Sequence, residues 1–72
     1  MNDEELRAHS EWSLGNLESA FELFFECASQ GIDSCMLNLG YCFDEGIGTN
    51  RDKQQAMFWY KNPFIVEVLR LL

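Results

Sequence analysis

Basic residues are scarce in this chain: five Lys and Arg stand against twelve Asp and Glu, for a net charge of −7 at pH 7. A field of that sign repels nucleic-acid phosphates and anionic lipid, which argues against both as ligands and turns attention to basic partners. The same surplus also serves the plainer purpose of keeping a small helical protein in solution. Histidine is rarer still. His9 stands alone, with no C-x2-C pair to join it, so the spacing of a structural zinc site is missing and no metal or other cofactor is expected. No apolar run approaches the ~20 residues that a membrane-crossing helix needs. The opening Met1-Asn2-Asp3-Glu4-Glu5 has neither the basic start nor the apolar stretch of a secretion signal. The expected compartment is therefore the cytoplasm, where thiols stay reduced. Proline occurs once, at Pro63, and no alternating pattern of a strand survives anywhere.

What the chain does have is apolar and aromatic. Apolar residues make up 47%, with two Trp, two Tyr and six Phe, enough material for a core and too much for a disordered segment. A length of 72 residues allows one domain, near the lower limit for folding unaided. Such a core rarely supplies more than ~3–5 kcal/mol, so a disulfide, a partner or self-association is expected to support it.

The spacing predicts a helix over Asp3–Leu14, opened by a capping box from Asn2 to Glu5 and closed at Gly15. A second helix starts at Asn16, with Leu17, Ala20, Phe21, Leu23, Phe24, Cys27 and Ala28 at helical intervals, and ends at Gly31. Asp33 is expected to cap a third, whose apolar stripe is Cys35, Leu39, Cys42 and Phe43. Gly40 lies inside that helix at a cost of ~1 kcal/mol relative to Ala, which suits the close approach of a neighbouring helix. Gly46-Ile47-Gly48 forms a loop, and Asp52 with Gln55 resembles a capping box for a fourth helix through Ala56, Phe58, Trp59 and Tyr60. Asn62-Pro63 interrupts it, leaving Phe64 to Leu72 as a short apolar helix. Helices joined by brief Gly-marked turns fold as antiparallel hairpins.

Those hairpins repeat. Ala20-Phe21-Glu22-Leu23-Phe24 and Ala56-Met57-Phe58-Trp59-Tyr60 align at an offset of 36 residues. Gly31, Cys35, Leu39-Gly40, Phe43, Gly46-Ile47-Gly48, Asp52, Ala56 and Trp59-Tyr60 keep the order A-x3-LG-x2-Y-x2-G-x-G, then D-x3-A-x2-WY, with Cys35 in place of Ala and Phe43 in place of Tyr. In this the chain resembles the Sel1-like repeat family, relatives of the tetratricopeptide repeats. Ala8, Gly15-Asn16, Ala20, Phe24 and Cys27 fall at tetratricopeptide spacing. The resemblance implies an all-α fold of α-hairpin repeats, a short α-α superhelix with a C-terminal capping helix. It divides a single domain, 1–72, into a tetratricopeptide-like hairpin at 3–31, a Sel1-like hairpin at 32–61 and a C-terminal helix at 63–72. About two units are present where ~3 usually make a stable stack. The open end is thus completed either by Phe64–Leu72 folding back or by another molecule, a homodimer included.

In function, the resemblance implies an adapter or regulator that binds another protein on a concave helical surface. The first and third helices would line that surface, presenting Glu4, Glu11, Asn38, Tyr41 and Glu45 to a basic partner. Trp12, which has no assigned packing role in the repeat, is an interface candidate. An immunity or antitoxin protein against a basic toxin would look like this. Glu18, Glu22 and Glu26 form either an acidic ridge for a basic partner or simply a solvated face. Cys27 and Cys35 are spaced like the bridged cysteines of cysteine-rich Sel1-like proteins, so they are a candidate disulfide, against the alternative of small buried thiols. Some of those relatives are described as β-lactamase-like, but no S-x2-K or equivalent nucleophile arrangement occurs here and the chain is not expected to be an enzyme. A third reading makes it a fragment of a longer repeat scaffold.

Overall fold

The computed structural model describes residues 3–60, and these form four helices in sequence: α1 (Asp3–Ser13), α2 (Leu17–Ser29), α3 (Asp33–Glu45) and α4 (Lys53–Tyr60). Each packs against the next, α1 on α2, α2 on α3 and α3 on α4, so the described chain is a stack of antiparallel hairpins with no strand. The expected helix at 63–72, the Asn62-Pro63 break and the Asn2 half of the first capping box lie outside the described residues.

The ends of the helices show why the chain turns where it does. After α1, the Asn16 N–H bonds back to the Glu11 carbonyl at 2.9 Å, and the Gly15 N–H to that of Trp12. The Asn16 side chain does not cap α2; its Nδ2 donates to Glu11 Oε2 at 2.7 Å and fastens the turn instead. Asp33 was expected as the cap of α3, but it is the first helical residue, and the cap position belongs to Ile32, whose carbonyl accepts the Met36 N–H at 3.0 Å. One position further in, the Asp33 carboxylate still faces the positive end of the helix dipole. Asp52 does cap α4, its Oδ1 accepting the Gln55 N–H at 3.1 Å.

The core gathers Ala8 from α1, Ala20, Phe24, Cys27 and Ala28 from α2, Cys35, Met36, Leu39, Cys42 and Phe43 from α3, and Ala56 from α4. Phe24 is its largest fully buried side chain, touched edge-on by the rings of His9 and Trp12. On the other side of α2, Phe21 meets Phe43 at 5.3 Å and Phe25 meets Trp59 at 5.9 Å, both edge to face. Small residues set the spacing between these aromatic contacts. A Cβ at Gly40 would lie 2.8 Å from the Tyr60 ring and 3.3 Å from the Ala56 carbonyl oxygen, so α4 crosses α3 at the one position without a side chain.

The loop between α3 and α4 is packed as tightly. Gly48 has a left-handed φ of 70°, and its α-carbon presses on the start of α2, where a Cβ would fall 2.8 Å from that of Phe21. The Asp52 N–H bonds to the Phe43 carbonyl and Arg51 Nε to that of Asp44, each at 2.9 Å, folding the loop against the end of α3. The second hairpin is thereby seated on the first through backbone as well as side chains.

Cys27, near the end of α2, and Cys35, near the start of α3, are joined by a disulfide, with α-carbons 5.8 Å apart. Both are fully buried. Cys42 is a free, buried thiol. Burial pushes it up to about 11, which keeps it protonated and unreactive at neutral pH.

Candidate functional site

Side chains at steps of three and four share one face of a helix. On α1 this places Glu5, His9 and Trp12 in one row, and on α3 Ser34, Asn38, Tyr41 and Glu45. The two rows meet. At one end the Ser34 hydroxyl donates to the carboxylate of Glu5, which is buried at 5% exposure. Next to it, Gln30 Nε2 donates to Glu4 Oε1 at 2.9 Å, tying α1 to the turn before α3. Further along, Trp12 and Tyr41 stack with centroids 6.0 Å apart and planes 25° from parallel.

Between the rows lies an open groove of about 420 Å³ lined by His9, Trp12, Ser13, Asn38 and Tyr41. Trp12 is half-buried and backed by Phe24, so its position is set by the core, whereas Tyr41 is 44% exposed and offers its ring to solvent. Asn38 Nδ2 donates to the Ser34 carbonyl at 2.9 Å, which holds the amide along the helix and directs Oδ1 away from it as an acceptor.

Of the residues expected to meet a partner, Trp12, Asn38 and Tyr41 are brought together in this groove. Glu45 follows on the same row, with Arg51 4.0 Å away and both side chains well exposed. Glu11 stands beside Trp12 but accepts from Asn16, and Glu4 is engaged by Gln30 at the far end. His9 was weighed from the sequence only as a metal ligand, Ser13 was not singled out, and Glu5 was read only as part of a capping box. Spacing could have found them, since they stand three or four residues from one another or from Trp12, once α1 was known to lie beside α3.

Glu18, Glu22 and Glu26 are all exposed along α2 and do not border the groove. Among the described residues no group of three or more His, Cys, Asp or Glu is placed to hold a metal ion, and no helix is long and apolar enough to cross a membrane. Tyr60 is raised above the usual phenol range by burial and then by the nearby Asp44 and Glu45 carboxylates.

Stacked antiparallel α-hairpins define a helical-repeat fold. More specifically, a family model of the Sel1 repeat matches residues 33–62, so the α3–α4 hairpin is similar to a Sel1 repeat. Sel1 repeats are typically protein-interaction modules rather than catalysts. No curated protein and no solved structure matches the chain.

Proposed function

We propose that this chain acts by binding, holding a basic segment of another protein against the face shared by α1 and α3, and that it is not an enzyme. The observation that carries this reading is the Trp12–Tyr41 pair: a half-buried Trp12, fixed from behind by Phe24, stacked on an exposed Tyr41, on a chain of net charge −7. Aromatic anchors in positions set by the core supply contact area at little cost in conformational freedom, and they concentrate binding energy at interfaces. The surrounding acid steers and selects a basic partner more than it adds affinity. An immunity or antitoxin protein that neutralises a basic toxin is the specific form that this charge suits.

The test is affinity capture with the full chain, comparing wild type with two variants at low and high salt. Asn38→Ala with Tyr41→Ala should lose the captured protein, and Glu18→Gln with Glu22→Gln and Glu26→Gln should keep it. High salt should weaken the capture, because exposed charges are screened over a few ångströms at molar ionic strength. The opposite pattern between the two variants would move the site to the outer ridge of α2 and overturn the assignment.

A further inference from the structure

We infer that the α1–α3 groove is a site for the guanidinium group of an arginine, and that it discriminates arginine from lysine. This rests on the basic-partner reading above and adds the chemistry of the anchor. Three features favour a planar cation. Tyr41 is 44% exposed and stacks on Trp12 at 25° between planes, so its ring offers solvent a π-surface of the kind on which a guanidinium stacks. The centroids are 6.0 Å apart, short of the about 7 Å that two layers of van der Waals contact would need, so the cation lies on the pair and not between the rings.

Asn38 supplies the second feature. With one amide N–H spent on the Ser34 carbonyl, the Oδ1 of this groove-lining residue is left to accept. The third is the Glu45 carboxylate, one turn beyond Tyr41 on the same row. Arg51 approaches it only at 4.0 Å and from the loop. Two acceptors flanking an aromatic surface match a fork of in-plane N–H donors, whereas an ammonium is a compact, strongly hydrated point charge that cannot stack. No base intrudes from α1: Arg7 precedes His9 by two positions, about 200° around the helix, and so belongs to the opposite face.

Fluorescence polarisation would test this with three labelled peptides, neutral apart from three arginines, three lysines or three citrullines, added to the full disulfide-bonded chain. The arginine peptide should bind about tenfold more tightly than the lysine peptide, with citrulline weakest. Tyr41→Leu and Asn38→Leu should each bring the arginine and lysine affinities within about twofold of one another, whereas Tyr41→Phe and Glu22→Gln should preserve the preference. Circular dichroism establishes that each variant is folded. Equal binding of the arginine and lysine peptides by wild type would remove the guanidinium site and leave the basic-partner reading standing. An arginine preference that survived both leucine variants would place the site elsewhere. Failure of the folded chain to bind either cationic peptide would remove both proposals together.

Discussion

Replacing Gly48 by alanine sets two separable penalties against the fold. The first is conformational: with φ at 70°, an L-residue with a Cβ is held in the left-handed region, at about 1–2 kcal/mol. The second is steric. The new methyl would sit 2.7 Å from the Leu17 carbonyl carbon and 2.8 Å from Phe21 Cβ, both on α2, and neither is the end of a side chain that can swing away. Overpacking of this kind costs typically about 1–3 kcal/mol, for a total of about 2–5 kcal/mol. Gly15→Ala is the control, because Gly15 has a φ of 83° and nothing within 4 Å of its missing Cβ. It should lose only the conformational part. In thermal melts followed by circular dichroism, 1 kcal/mol moves the midpoint of a domain this size by about 4–8 °C, so the two variants should separate clearly, with Gly48→Ala lower. A Gly48→Ala protein already unfolded at room temperature, beside a folded Gly15→Ala, gives the same ordering. Equal midpoints would refute the seating of the loop on α2, and with it the packing that joins the two hairpins.

Reduction of the Cys27–Cys35 bridge, or the double change to alanine, should cost about 2.5 kcal/mol from the freed loop entropy, read as a drop in the urea midpoint. Mass spectrometry of the protein isolated with its thiols blocked should find that bridge intact and Cys42 alkylated only after unfolding; two blocked thiols at Cys27 and Cys35 would contradict it. Because the folded Cys42 thiol is raised to about 11 from 9.0, its contribution to stability is complete below pH 9 and declines as pH rises toward 11, while the unfolded chain ionises first. Cys42→Ala should flatten that part of the stability–pH curve. Phe24→Ala should destabilise by about 3–5 kcal/mol and also weaken partner binding, since the Phe24 ring supports Trp12 from behind.

Much of the fold could be read from the chain itself. The stripe of Cys35, Leu39, Cys42 and Phe43 gave α3 the bounds it has, and the mid-helix Gly40 marked the place where α4 comes close. What the sequence did not show was mostly a matter of long-range geometry. Asp33 and Ile32 compete for the cap of α3, and which one wins depends on how the turn from α2 enters the helix. Glu5 was read as half of a capping box, and it is instead buried where Ser34, 29 residues away, meets it from the facing helix. Trp12 had no partner along its own helix; its position follows from Phe24 behind it and Tyr41 beside it, one on each neighbouring element. For Cys27 and Cys35, spacing allowed buried thiols or a bridge, and the choice turned on the distance across the α2–α3 turn. If the chain resides in a reducing compartment, that bridge is the feature under greatest pressure, since disulfides persist chiefly where conditions are oxidising.

The most direct measurement is a titration of the isotope-labelled full chain with an arginine-rich peptide, followed by amide and side-chain chemical shifts. The backbone signals of His9, Trp12, Ser13, Asn38 and Tyr41, together with the Trp12 indole N–H and the Asn38 amide, should move along one saturating curve while those of Glu18, Glu22 and Glu26 stay in place. Shifts centred on the outer ridge of α2, or spread evenly over every acidic residue, would contradict a binding site between α1 and α3.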